Sequence, residues 1–596
     1  MNNTVLAHGN EVSFSTFGTD WLYLGVPVMV LLAVVSWLVA TGRSQGEHGF
    51  VGTAFVRAGS SLERVTGLPA WSSGAIAMGL WALLVAVIGF LWDVAWHMDK
   101  GRDQFLFTPS HMMILIGLAS IAAAAMISII MATLSKADTG LSLGRLRIPY
   151  GAMPLLALGL GSLAGFPLDE LWHRNYGVDV TMWGPTHLVM ISGASFTPIA
   201  LWAIRAEAGR EAGVPWVRKV LKHFFAGSLL VGLSTFQAEF DFGTPQFQHL
   251  YHPVLIAAAA GLALTAARVA IGPGGALLSV AGFIGIRSAL ALLLGPVLNH
   301  TVARFPLYIG AALVVEAVLW FGREWQPWKQ GVLAGALVGT VGVGVEWGWT
   351  HVWGRAPWGA NLFPGVIIVV MVGVAAAVLG IAMGRALSYR GAGIGAIPLA
   401  IAGLAAVVGL ALPLPRNEAP YEATLTTTDA GNGTVELDVA VDPPSAASNP
   451  DWFEVLSWQG GSVVNTPLIE TGPGSYRAAE PVPASGDWKT LVRIADKDVM
   501  VAVPVFMPRD PEIGASEIPV EPTRTDAFVR DTKLLMREAH AGAAWPALVA
   551  YTAILVLAIG WIVAFVIALS KLGARNDRNI RRSPKKVEAS GTPVRA

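Results

Sequence analysis

The sequence predicts an all-α polytopic membrane bundle of about thirteen transmembrane helices with internal hairpin repeats, plus one small extracytoplasmic β-sandwich. Three observations predict it. Of 596 residues, 54% are hydrophobic and only 13% charged, and the mean hydropathy is +0.56; a soluble domain carries about a quarter charged residues. Windows of roughly 20 apolar residues, the length that crosses a bilayer, recur along the chain. One polar stretch, 418–511, instead alternates as strands do.

The elements follow in order. Residues 1–20 hold no Lys or Arg and form an outer N-terminal segment. A cleavable signal peptide starts with basic residues, so the apolar stretch that follows reads as a retained helix. Apolar windows fall at 21–41, 73–96, 108–134, 149–172, 184–204, 218–237, 249–271, 276–298, 306–322, 331–350, 361–384, 392–413 and 545–569. The first twelve make a membrane domain over 21–413. A β-sandwich with its linker spans 414–544, a last helix spans 545–569, and a basic tail runs over 570–596.

Charge sets the orientation. Basic residues flanking membrane helices concentrate on the cytoplasmic side. The tail holds Lys571, Arg575, Arg578, Arg581, Arg582, Lys585, Lys586 and Arg595, so it is expected inside. Thirteen spans then put the N-terminus outside. Arg43, Arg57 and Arg64 fall inside, as do Arg145, Arg147, Arg205, Arg210, Arg218, Lys219 and Lys222. The expected location is the plasma membrane, multi-pass, with the β-rich stretch outside.

Within that stretch, Thr434-Val-Glu-Leu-Asp-Val-Ala-Val441 alternates apolar and polar residues. Gly472-Pro-Gly-Ser-Tyr476 and Ala484-Ser-Gly-Asp-Trp488 read as turns before further strands. About 95 residues of this spacing suggest a small sandwich. The segment resembles the FixH/YtkA type of extracytoplasmic domain, in which a Gly-x-Tyr strand precedes a Gly-x-Trp turn. That resemblance implies company with copper-handling membrane proteins and a redox or assembly partner at this domain; an ordinary contact domain is the alternative. No His or Cys lies between Glu418 and Pro511, which excludes a blue-copper centre there.

A pattern occurs twice, 76 residues apart, on the membrane domain. Asp93, Trp96, His97, Gly101, Asp103, Pro109 and His111 match Asp169, Trp172, His173, Gly177, Asp179, Pro185 and His187 without a gap, within 93–111 and 169–187. Each copy puts an Asp and a His one helical turn apart at the end of one span. A proline then opens the next span, with a second His in its first turn. The copies keep one orientation, because two spans separate them. A partial third copy preserves the Asp-x7-His spacing at Asp241 and His249, and adds Glu239 and His252. A degenerate fourth ends in Glu346 and His351. Ionisable groups are expensive in a membrane and mark function or a specific partner. Arg287 and Glu316 lie deeper, and are expected as a buried ion pair or a proton relay. The glycines of 159–161, 335–344 and 391–395 are expected to let helices pack closely.

There is no cysteine, which removes thiolate ligands, disulfides and iron–sulfur clusters. Net charge is zero and nothing points to nucleic acid. No phosphate-binding glycine loop is visible. Imidazole with carboxylate suits copper, zinc, iron or manganese. The Asp-x3-His-x13-His order resembles the Asp-x3-His-x12-His copper site in the C subunit of particulate methane and ammonia monooxygenases, departing by one residue. The resemblance implies copper held by Asp93, His97 and His111 and by Asp169, His173 and His187. Haem held by two facing histidines is a further possibility. So is a purely structural role, with each Asp orienting its His and the Trp-His pairs anchoring helix ends. The expected function is a membrane metalloprotein for copper handling or copper-dependent oxidation. A transporter using the hairpins as its pathway, and an assembly scaffold, are the alternatives.

Overall fold

Long apolar stretches become helices wherever the bilayer leaves the backbone no other way to pair its N–H and C=O groups. The computed structural model describes residues 50–100, 108–176, 181–246, 248–390, 421–448, 450, 452–459, 462–496, 499–511, 514–535 and 544–582. The helices are α1 (Phe50–Thr66), α2 (Ala70–Lys100), α3 (Pro109–Leu134), α4 (Ala152–Tyr176), α5 (Pro185–Glu207), α6 (Pro215–Ser234), the single turn α7 (Ala238–Phe242), α8 (Tyr251–Ile271), α9 (Gly275–Leu292), α10 (Ile309–Phe321), α11 (Pro327–Leu337), α12 (Val343–Val352), α13 (Val366–Leu387), the short α14 (Thr532–Leu535) and α15 (Ala544–Arg582). A small hairpin, β1 (Leu141–Leu143) with β2 (Leu146–Ile148), joins α3 to α4.

The expected count of thirteen needs correction. Among the described residues, nine helical segments are long and apolar enough to cross a membrane: Ala70–Asp99, Pro109–Leu134, Ala152–His173, Pro185–Glu207, Tyr251–Ile271, Gly275–Val297, Pro327–Val352, Leu362–Leu387 and Ala544–Leu572. The window 218–237 does fold as a helix, α6, but Arg218, Lys219, Lys222 and His223 make its first half polar. The window 306–322 shortens to the 13 residues of α10. That is about 20 Å of helix, against a hydrocarbon core of about 30 Å. The windows 21–41 and 392–413 lie outside the described residues, as do residues 1–20 and most of the basic tail.

Hairpins α2–α3 and α4–α5 are built alike. A Cβ on Gly117 would come within 2.7 Å of the Ala86 Cβ, and one on Gly193 would collide with the Ser162 side chain. Gly117 and Gly193 are 76 residues apart, and so are Ala86 and Ser162. The same helix contact is therefore made twice. Gly159 packs likewise against Ala122, joining α4 to α3, and Gly339 packs against Val370 of α13. Both fall in glycine runs expected to serve close packing; Gly391 to Gly395 lie outside the described residues. Without a hydrophobic drive between helices in lipid, close backbone approach is what holds them. Helix α15 lies against α4 and α5, with Trp561 Nε1 donating to the Ala157 carbonyl at 2.9 Å.

The polar stretch is not a sandwich. Its strands are β3 (Glu422–Gly431), β4 (Thr434–Asp442), β5 (Trp452–Gln459), β6 (Ser462–Gly472), β7 (Ser475–Ala478), β8 (Val482–Pro483), β9 (Lys489–Asp496), β10 (Val499–Phe506), β11 (Thr523–Ala527) and β12 (Val529–Arg530). They form one antiparallel sheet in the order β11-β3-β4-β7-β6-β5-β9-β10-β12, with β8 paired to β4. The two edge strands are separated in sequence by Phe528 alone, so the path nearly closes into a barrel. Long β6 makes this possible: its first half pairs with β5 and its second half with β7. Strand β4 alternates buried and open residues, as a one-sided strand should. Strands β9 and β10 are buried on both faces along nearly their whole length.

The β-domain sits on the bundle at a defined place. Buried Arg493 of β9 donates to the Pro245 carbonyl at 2.7 Å and pairs with Asp531 at 2.7 Å. Asn465 of β6 donates to the Gly243 carbonyl at 3.4 Å. Thr244 in turn touches Met98 Sδ at 3.5 Å, at the C-terminal end of α2. The domain thus covers the bundle end where α2 finishes.

The doubled glycine contact is testable. Gly117→Ala and Gly193→Ala each overpack a hairpin and are expected to destabilise by about 1–3 kcal/mol. Gly285→Ala, whose methyl meets nothing within 4 Å, is expected to be neutral or slightly stabilising. Apparent melting temperatures in detergent check this.

Candidate metal centres

Two side-chain clusters stand at the end of the bundle that the β-domain covers. Asp93 and His97 share a face of α2, one turn apart. His111 comes from the first turn of α3, which Pro109 opens and Thr108 caps by accepting from the His111 N–H at 3.3 Å. Gly89, one turn before Asp93, lets the two helices meet: a Cβ there would lie 2.8 Å from Met113 Cβ and from the Ile114 nitrogen. The second hairpin repeats the device. Gly165 lies against Met190, Asp169 and His173 share a face of α4, and His187 enters from the start of α5.

In the first triad, Asp93 Oδ2 is 3.6 Å from His97 Nε2, and Oδ1 is 3.1 Å from His111 Nε2. In the second, Asp169 Oδ2 is 3.9 Å from His173 Nε2, and Oδ1 is 3.3 Å from His187 Nε2. The three donor atoms of each triad lie within 4.8 Å of one another. Two donors about 2.0–2.1 Å from one ion at the tetrahedral angle would be roughly 3.3 Å apart, so the spacing fits a shared metal. All six side chains are largely buried. Phe166, one turn before Asp169 in the second hairpin, stands perpendicular to the His111 ring with centroids 6.1 Å apart, so the second hairpin contacts the first triad.

The tautomer of His187 adds a chemical constraint. Its Nδ1 lies 2.6 Å from the Thr181 carbonyl, which can only accept. Nδ1 therefore carries the hydrogen, and Nε2 of the neutral ring points a lone pair at the Asp169 carboxylate. Lone pair against anion is repulsive unless a cation sits between them, either a second proton on the ring or a metal. A metal-binding His commonly donates its other ring N–H in this manner. His173 Nε2 is buried and makes no hydrogen bond.

Several contributors escaped the sequence reading. Ser110 Oγ donates to Asp93 Oδ1 at 2.9 Å, and Thr186 Oγ1 donates to Asp169 Oδ1. Each hydroxyl stands just before the second His, 76 residues from its counterpart. Gly89-Phe90 and Gly165-Phe166 recur at the same offset. That shared offset was the signal that could have revealed them.

The other expected residues are not gathered into one site. Asp103 and Asp179 lie outside the described residues. Glu239 accepts from Thr181 Oγ1 (2.9 Å), the Met182 N–H (2.8 Å) and the Gln246 N–H (3.1 Å), holding two loops together. Burial pushes its carboxyl up to about 7, against these three hydrogen bonds. His249 and His252 stack on Phe240, and His252 Nδ1 accepts from Trp358 Nε1 at 3.0 Å. Glu346 accepts from the N–H groups of Leu307 and Tyr308 at the start of α10. His351 is exposed and bonds the Trp347 carbonyl. Arg287 and Glu316 do not pair with each other. Arg287 pairs with Asp241 at 2.8 Å, and Glu316 with Arg268 at 2.6 Å while capping the start of α9. Sequence depth alone could not select among the available partners. Buried Asp99, not among the expected residues, accepts from His300 Nδ1 (2.7 Å) and Thr301 Oγ1 (2.6 Å). Trp92 Nε1 donates to His300 Nε2 at 3.1 Å, so both ring nitrogens of this histidine are bonded within the protein.

Compared with protein-family models, with curated proteins and with solved structures, the chain matches none. The two resemblances drawn above therefore rest on their motifs alone.

If Asp241 is a structural pin, its loss strands a buried guanidinium. Asp241→Ala is expected to destabilise by about 3–5 kcal/mol, while Asp241→Leu combined with Arg287→Met recovers most of it. Detergent melting curves of the three proteins compare these outcomes.

Proposed function

We propose that the chain is an integral membrane metalloprotein whose two Asp/His triads face the outer side and bind copper, for copper handling or copper-dependent oxidation of a small or lipophilic substrate. One observation carries the reading: the same two-imidazole, one-carboxylate cluster is built twice, at metal-sharing distances. The donor set suits copper, zinc or iron. The likeness of the Asp-x3-His-x13-His order to the copper site of the monooxygenase C subunit favours copper. Haem fits poorly, because each Asp oxygen occupies the space beside the imidazole nitrogens that a porphyrin would need.

Bound copper would supply a one-electron redox couple. The chain's own part is to hold the ligands. Asp93, His97 and His111 would bind in the first centre, and Asp169, His173 and His187 in the second. Ser110 and Thr186 would aim each carboxylate, and Phe166 would keep water from the His111 side of the first centre. The β-domain, placed over this end of the bundle, would limit access or dock a redox or assembly partner. Transport has less support, because transporter sites lie near the bilayer midplane, whereas the triads, Asp99–His300 and Glu239 gather near one end.

Metal content tests the reading. Protein purified in detergent, loaded with Cu(II) and passed through a desalting column should carry two equivalents by mass spectrometry. His97→Ala and His173→Ala should each lose one, and the double variant both. Folded wild-type protein that retains no metal would sink the proposal. Orientation has its own test, since the chain has no cysteine. Thr428→Cys, on an exposed end of β3, should react with a membrane-impermeant maleimide in intact cells; protection until lysis would reverse the topology.

A further inference from the structure

Resting on the metal reading of the second triad, the inference concerns what holds His187. The Thr181 carbonyl takes the His187 Nδ1 hydrogen at 2.6 Å. The Thr181 hydroxyl and the next N–H, of Met182, both donate to Glu239 Oε1, at 2.9 and 2.8 Å. The loop carrying that carbonyl is thus pinned by one buried carboxylate. Glu239 Oε2 accepts the Gln246 N–H at 3.1 Å. Beside Gln246, the Pro245 carbonyl is held at 2.7 Å by Arg493 of the β-domain. Arg493 is itself fully buried, paired with Asp531 and set over the Trp452 ring at 4.7 Å. An unbroken series of hydrogen bonds, two peptide units (Pro245–Gln246 and Thr181–Met182) and the Glu239 carboxylate runs from the β-domain to an imidazole in the second triad.

We propose that Glu239 and Thr181 are positioning residues for the second centre, fixing the His187 tautomer that turns Nε2 toward Asp169, and that the β-domain braces them through Arg493. Glu239 touches the loop of the second hairpin, so its influence falls on that centre and not on the first. Groups that orient a metal-binding histidine in this way are worth about 10–100-fold in affinity. A carboxylate that merely stabilised the fold would affect both centres alike.

The experiment uses the full-length chain in detergent, titrated with Cu(II) against a competing chelator. His97→Ala leaves the second centre, and His173→Ala leaves the first. Glu239→Gln added to His97→Ala is expected to weaken Cu(II) about 10–100-fold, and Thr181→Val to act in the same direction. Either change added to His173→Ala should leave Cu(II) affinity unaltered. Thr181→Val keeps the shape of the residue, which guards against a folding failure in Glu239→Gln. Equal losses at both centres, or no loss at the second, would overturn the positioning role while leaving the metal reading intact. Failure of both single-centre parents to bind Cu(II) would overturn the metal reading and this proposal with it.

Discussion

Close backbone contact within the helical hairpins is the constraint on which the rest depends. An imidazole reaches only a few ångströms, so two histidines from different helices meet at one carboxylate only if their helices nearly touch. Gly89 and Gly165 permit that approach beside the triads, and Gly117 and Gly193 permit it two turns deeper. In lipid, such contacts replace the hydrophobic drive that would assemble a soluble bundle. The same small residues therefore serve stability and chemistry together. A Cβ at any of these four positions would crowd the facing helix, against backbone at Gly89 and Gly117 and against the Met190 and Ser162 side chains at Gly165 and Gly193.

The triads were legible because their geometry is local. Four residues of helix bring Asp93 beside His97, a proline marks where the next helix begins, and the 76-residue offset repeats the whole arrangement. What stayed hidden was set by tertiary partners. Arg287 and Glu316 looked matched by depth, yet Asp241 and Arg268 reached them first. Glu239 read as part of a possible additional polar site in a partial third copy, yet its partners are the Thr181 hydroxyl and the backbone N–H groups of Met182, 57 residues away, and of Gln246. The β-domain read correctly as strands but wrongly as a sandwich. No alternation pattern reveals that β6 changes partners halfway and lets the edges approach.

Buried polar groups fall into two kinds here. Asp99 with His300, Glu346 with the start of α10, and Glu239 with its three donors each satisfy hydrogen bonds that the apolar interior would otherwise leave unmade. They act as pins, expensive to break and chemically quiet. The triads differ because their nitrogens face an anion from two sides and, at His187, with the hydrogen already committed elsewhere. Satisfied pins and the two triads use the same residue types.

The unit of repetition is a pair of helices, and evenness has a consequence. Duplicating one span would invert the copy and place its carboxylate at the opposite membrane face. Duplicating two returns it to the same face, where the ring of Phe166 can touch His111 of the earlier copy. Both clusters consequently meet a single compartment. Any cation reaching either cluster would be drawn from one pool.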